Sequence, residues 1–235
     1  MSYRGKAKDI KEIINAYEFL IKGIEADAQY SKDRAYGGII RAGKGKLVES
    51  IAKSLVEIAW KDMKKDIDRL SFSKKAVKIP INRDYIDKIK SPEIKSYIKE
   101  NITDYYYDLK TDIHVHIDDK FSLAIECKAY TENAMLKRIL VDFTLLKQVH
   151  PDLKFALIQL ESQLGGDYCE LKDITYGSTS THTLLSYFDV ELNIITLLTG
   201  ERKVKKPIHK HRYYKSLRES SLIKALDTIK GLLKS

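Results

Sequence analysis

Apolar positions recur along this chain with two periods, and the switches between them mark its elements. Ile10, Ile13, Ile14, Tyr17, Leu20, Ile21 and Ile24 fall on one side of a 3.6-residue repeat, which predicts a helix over 7–26 that packs on a core or a partner. Leu47, Val48, Ile51, Ala52, Leu55, Ile58 and Ala59 form a second, wider stripe and predict a helix from about 44 to 70. Between them, Tyr36 to Lys46 is glycine-rich and basic, the composition of a loop. Residues 71–90, rich in lysine and holding Pro80, predict an excursion over the surface. Ser91-Pro92-Glu93 is a helix start, with Ser as N-cap and Pro in the first turn, and the helix should run to about Asn101. A core strand is predicted over Tyr105–Leu109, a helix over 134–149 ended by Pro151, a buried strand over 154–160, a further strand over 190–199 and a last helix over 220–233. Gly165-Gly166 and Gly177 to His182 read as loops, the second capping local backbone with its short hydroxyl side chains.

The stretch Thr111 to Tyr130, TDIHVHIDDKFSLAIECKAY, has period 2 and reads as a β-hairpin turning at Asp118-Asp119-Lys120. In that register Ile113 faces Ile125 and Val115 faces Leu123, so one side is wholly apolar. The other side sets Asp112 opposite Glu126, with Lys128 one step beyond. Opposed strand residues have Cβ atoms about 5 Å apart, and like charges so placed require a compensating cation. Two hard oxygen donors select Mg²⁺ or Mn²⁺, an ion that keeps its remaining positions for water and phosphate. The plain alternative is a solvated hairpin with ordinary surface charges. Cys127 falls on the apolar side as a structural thiol. His114 and His116 share a side with Asp112, but residues in a row along one strand rarely converge on a zinc ion, so exposure near a ligand is the simpler expectation for both.

A D-(x)13-E-C-K spacing on a hairpin resembles the PD-(D/E)XK nuclease superfamily, and the organisation of the chain is similar to that of a type II restriction endonuclease. The resemblance covers about Gly43 to Ser162, with Thr111 where the motif has Pro. It implies a mixed α/β sheet with helices on both faces, an αβββαβ core over about 43–162 within a single domain 1–235, extra N-terminal elements, and a basic C-terminal element over about 201–235. It further implies Mg²⁺-dependent hydrolysis of double-stranded DNA at a specific, palindromic site, with Mn²⁺ as a substitute metal, leaving a 5′-phosphate and a 3′-hydroxyl. Asp112, Glu126 and the Cys127 carbonyl would hold the metal, Lys128 would orient the attacking water, and Glu49 would be the acidic residue that the first core helix contributes. A homodimer is implied, and a cognate methyltransferase that protects host DNA without a stable complex. Junction-resolving and modification-dependent nucleases share these features, and a non-cleaving DNA-binding protein is the alternative of a different class.

Composition agrees and adds little specificity. Lys and Arg number 42 against 33 acids, a net charge of +9, which favours polyanions through counterion release. Expected DNA contacts are Arg41, Lys44 and Lys46 in the glycine-rich stretch, Thr131, Asn133 and Lys137 after the hairpin, and Lys210, Arg212 and Lys215 among the eight Lys or Arg residues between Glu201 and Arg218. Gly38 to Lys44 fits GxxxxGK, but Gly45 stands where a phosphate-binding loop needs Ser or Thr for magnesium. Glu57 and Asp62 read as solvated. Two cysteines, Cys127 and Cys169, exclude a disulfide scaffold. With no apolar run near the roughly 18 residues that span a bilayer and no apolar leader at the N-terminus, the expected location is the cytoplasm.

Overall fold

The structure, a computed structural model, describes residues 3–28, 33–165 and 178–234; the side chains of 3, 4, 24–28, 33–37 and 39 lie outside that description. Expectations resting on the side chains of Ile24, Tyr36 and Ile39, and on Gly166, Cys169 and Gly177, therefore lie outside the described residues. In chain order the elements are α1 (Tyr3–Ala28), α2 (Asp33–Asp62), β1 (Leu70–Ser73), β2 (Val77–Pro80), α3 (Arg83–Lys88), α4 (Pro92–Glu100), β3 (Tyr106–Leu109), β4 (Ile113–Ile117), β5 (Lys120–Glu132), α5 (Asn133–Val149), β6 (Lys154–Gln163), α6 (Thr179–Ser186), β7 (Leu192–Thr196) and α7 (Glu219–Leu233).

A five-stranded mixed sheet runs β1-β4-β5-β6-β7. The first three strands pair antiparallel and the last three parallel, because a tight turn joins β4 to β5 whereas α5 carries the chain back over the sheet before β6. Alternation sends Leu123, Ile125, Cys127, Ala156 and Ile158 into a core with α1, α2 and α7. Ala124, Phe155 and Leu157 enter a second core with Leu136, Ile139, Leu140, Phe143 and Leu146 of α5. Helices thus cover both faces. Each fully buried Leu, Ile or Phe contributes about 1.5–3 kcal/mol of transfer free energy.

The helix expected to reach about 70 ends at Asp62, and four further points differ from expectation, each for a physical reason. The glycine-rich stretch is helix, the first third of α2. Glycines cost about 1 kcal/mol each there, but Ile40, Leu47 and Val48 bury against the core and offset that cost. The first strand of the αβββ order is β1, inside the predicted excursion. Leu70 pairs with Ile117 and Phe72 with Val115, because β4 has a free edge that a half-apolar strand can satisfy. The predicted core strand 105–109 instead pairs with β2 in a separate two-stranded sheet, where only Leu109 of β3 is buried. Residues 179–186 form α6, started by Ser178, whose hydroxyl accepts from the Thr181 N–H; the capping part of the expectation holds and the loop part does not.

Asp62 is not solvated. It accepts from Lys6 at 3.0 Å and pairs with Lys230, tying the start of α1 to the ends of α2 and α7. Tyr17, fully buried, donates its hydroxyl to the Lys215 carbonyl at 2.6 Å. Among the described residues, no helix is long and apolar enough to cross a membrane.

Candidate active site

The hairpin folds with a two-residue turn rather than three. Asp118 and Asp119 both adopt positive φ, 50° and 62°, the pair of left-handed residues that a type I′ turn needs and that aspartate tolerates. Ile113 does face Ile125 and Val115 does face Leu123, but a bulge follows, so that His116 faces Phe121 and Ile117 faces Lys120. The bulge lies on the turn side of Val115 and leaves the register at the open end intact. Asp112, Glu126 and Lys128 therefore meet as the alternation requires.

Lys128 Nζ lies 3.1 Å from Asp112 Oδ2 and 2.5 Å from Glu126 Oε2, so the two carboxylates converge on one cation. Asp112 Oδ2 also accepts from the Cys127 N–H at 2.7 Å. Burial works against ionising Asp112, but Lys128 and the Cys127 N–H overcome it and hold this carboxyl below its ordinary range. Glu126, only 7% exposed, is pushed up to about 7, chiefly by burial with Asp112 adding repulsion, against the pull of Lys128. Burial also opposes the charge of Lys128, yet its two acids prevail and raise it. Burial, with Asp112, Glu126 and Glu49 after it, raises the Cys127 thiol well above its usual value, so the sulfur is inert and only its backbone is available to the site.

A divalent cation fits this donor set on the chemistry of the pair itself. Two carboxylate oxygens already share one positive charge in Lys128, and hard oxygen donors of this kind suit Mg²⁺. Among the described residues, no group of three or more His, Cys, Asp or Glu side chains is placed to hold a metal. Side chains supply two oxygens here, and a bound ion would take its further ligands from backbone or water. His114 is buried and stacks on Phe121 at 4.5 Å between centroids, and its Nε2 accepts from the Thr111 N–H at 3.3 Å. The expected exposure of His114 is overturned, since its ring packs and fixes the residue before Asp112.

Glu49 projects from α2, is half-buried, and is paired with Lys74 just beyond β1. Its charge is felt at Cys127, and that of Asp112 is felt at Lys74, so Glu49 and Lys74 border the same cluster. Lys74 carried no signal in the sequence, because its place depends on β1 joining the sheet edge. Gln159 was legible as a polar residue inside the apolar run Phe155–Leu160. It is fully buried beside Lys128 in register, donates to Thr196 Oγ1 at 3.0 Å, and its Oε1 has no protein partner.

The expected DNA contacts divide. Arg41, Lys46, Lys137, Lys210 and Arg212 are exposed. Thr131 is fully buried in β5, so its expected contact is withdrawn. Asn133 spends its amide within the fold, donating to Ser180 Oγ and accepting from Thr181 Oγ1. Lys215 lies 2.9 Å from Glu161 Oε1 and donates to the Gly200 and Glu201 carbonyls, which makes it a structural cation. Its geometry to Glu161 is that of an ion pair rather than a hydrogen bond, since the same oxygen has no hydrogen-bonding partner. Lys44 is buried, not in an open loop, with Nζ 3.2 Å from His209 Nδ1.

No family model matches the chain. It is 50% identical over 220 residues to the type II restriction enzyme DdeI of Desulfomicrobium norvegicum, a match covering 92% of each sequence. Among solved structures it is similar to the native BbvCI A2B2 tetramer, with a TM-score of 0.36 and 10% identity over 99% of this chain and 91% of that one.

Proposed function

The chain belongs to the type II restriction enzymes and cleaves DNA at specific sites, and we propose that the phosphodiester is hydrolysed at the Asp112–Glu126–Lys128 cluster. The observation that supports this is the convergence of two carboxylates, Glu126 buried and Asp112 half-buried, on one ammonium, 2.5 and 3.1 Å away. Type II restriction enzymes need a divalent metal; we take it to be Mg²⁺, with Mn²⁺ as substitute, held by Asp112, Glu126 and the Cys127 carbonyl. When bound, the ion supplies positive charge against the phosphate and acidifies water.

Lys128, whose charged form its neighbours favour, acts as a hydrogen-bond donor and not as the proton acceptor. Its ammonium positions the attacking water and offsets charge growing on the phosphoryl oxygens. Attack at phosphorus opposite the 3′ oxygen breaks the P–O3′ bond and leaves a 5′-phosphate and a 3′-hydroxyl. Glu49, linked to Lys74, adds a third acid at the border of the site. A palindromic target calls for two copies of the chain, one for each strand, with the enzyme acting in the cytoplasm beside a methyltransferase that marks host DNA. Incubating plasmid with the protein and Mg²⁺, and sequencing the ends, tests the chemistry: discrete fragments with 5′-phosphates are expected, and unchanged cutting by an Asp112→Asn variant overturns the site. Sedimentation with and without a cut-site duplex tests the dimer.

A further inference from the structure

We propose that the cavity bounded by Ile40, Arg41, Lys44, Tyr130, Arg202 and His209 is a second anion site, one that takes a phosphodiester of the cut DNA strand one or two nucleotides from the break. This goes beyond the hydrolytic cluster and rests on the cut occurring at Lys128. The cavity has a volume of about 170 Å³ and is also lined by Ala129, Glu161 and Pro207.

Its cations have neutral partners. Lys44, buried in α2, meets the His209 ring; an ammonium has only protons to give, so Nδ1 accepts and the ring proton sits on Nε2. Burial first, then Lys44 and Lys210, push His209 down to about 4, so the ring is neutral at ordinary pH. The Arg202 guanidinium lies 3.6 Å from the centre of the Tyr130 ring and donates to the Gln163 side-chain oxygen. A guanidinium held over an aromatic face keeps N–H groups free to meet phosphate oxygens. Arg41 lines the same cavity from an exposed position. The acid among the lining residues, Glu161, has Lys215 2.9 Å away. Among the described lining residues, Lys44, Arg41 and Arg202 thus outnumber the one acid, which Lys215 already pairs, and charge taken out of water with too little counter-charge is costly. Lys44 registers that cost: burial lowers it to about 8, with Arg202 adding repulsion against the pull of Glu161.

Position supplies the ligand. Tyr130 follows Lys128 by two residues in β5, and a strand advances about 6.6 Å over that distance. One strand of duplex DNA places a phosphate about every 3.4 Å along the axis. With β5 laid along the duplex axis, a phosphate at Lys128 would have a neighbour one or two nucleotides along beside Tyr130, which lines the cavity.

The test uses the full-length protein without divalent metal and a duplex carrying the mapped cut site, with single phosphates near the cut replaced by neutral methylphosphonates. Neutralising one phosphate within two nucleotides of the cut should weaken wild-type binding about tenfold. The same replacement should cost Arg202→Gln nothing further, and that variant's slope of log affinity against log salt should fall by about 1. Arg41→Gln, at an exposed position, provides the same cycle should Arg202→Gln fail to fold, which thermal melting reports. No coupling at any phosphate, coupling only farther from the cut, or competition by inorganic phosphate without methylphosphonate coupling each overturns the proposal. Failure of the hydrolytic cluster shows separately, as normal cutting by Asp112→Asn.

Discussion

Lys44 and Lys128 are both lysines drawn out of water, and burial leaves them with opposite fates. Lys128 stands between two acids and is held in its charged form, whereas Lys44 shares its cavity with Arg202 and a neutral imidazole and is pushed down to about 8. Among the described residues around Lys128 acids outnumber cations, an arrangement that suits a positive ion. Among the described residues lining the cavity of Lys44 cations outnumber acids, an arrangement that suits a negative one. A nuclease needs both, since its metal and its substrate carry opposite charge, and β5 supports the two within a few residues of each other.

The largest effect should come from breaking the acidic side of this pair. Asp112→Asn keeps the shape and removes the charge, and cleavage of plasmid with Mg²⁺ should fall at least about 10³-fold while metal-free duplex binding changes little. Cutting within tenfold of the parent enzyme would show that the ion is held elsewhere. Lys128→Met comes next, lowering the single-turnover rate about 10²-fold with little change in metal affinity. A loss seen only as weaker metal binding would give Lys128 a purely structural role.

Two smaller effects concern stability, and the comparison requires opposite signs in pH. Glu126 rises from 4.5 to about 7 on folding, so its ionised form is penalised in the folded state. That penalty is absent below 4.5 and complete above about 7. Glu126→Gln should therefore raise the melting temperature of the metal-free protein above pH 7, by about 2–4 °C for each kcal/mol recovered, and leave it unchanged below 4.5. Lys44 falls from 10.5 to about 8; its penalty is complete below 8 and gone above 10.5. Lys44→Met should stabilise at pH 7 by a smaller margin, since the His209 contact is lost, and the gain should fade as pH rises past 8. Melting curves over this range decide, and parallel pH profiles for the two variants would end the comparison.

The meeting of Asp112, Glu126 and Lys128 was legible in the sequence because a hairpin is local. Side chains alternate with period 2, so Asp112, Glu126 and Lys128 share a side wherever the hairpin packs, and a shorter turn with a compensating bulge left that relation untouched. The helices α5 and α7 and the strand β6 were legible for a similar reason, since their apolar periods are unbroken and their ends carry Pro or polar residues. The glycines before Leu47 misled, because intrinsic propensity yields to burial of a few large side chains. β1 and β3 were exchanged, because four-residue strands carry too little pattern to reveal which edge they will join.

By itself, then, the sequence determined the two alternating strands, the acids and the lysine on their shared side, and the long amphipathic helices, all of which follow from spacing within one element. Only the tertiary structure decided that Lys44, Tyr130, Arg202 and His209 line one cavity, that Lys74 reaches Glu49, and that Thr131 and Lys215 are committed to the interior. These relations join residues tens to more than a hundred positions apart, or depend on burial by neighbouring elements, and no periodicity within a segment encodes them.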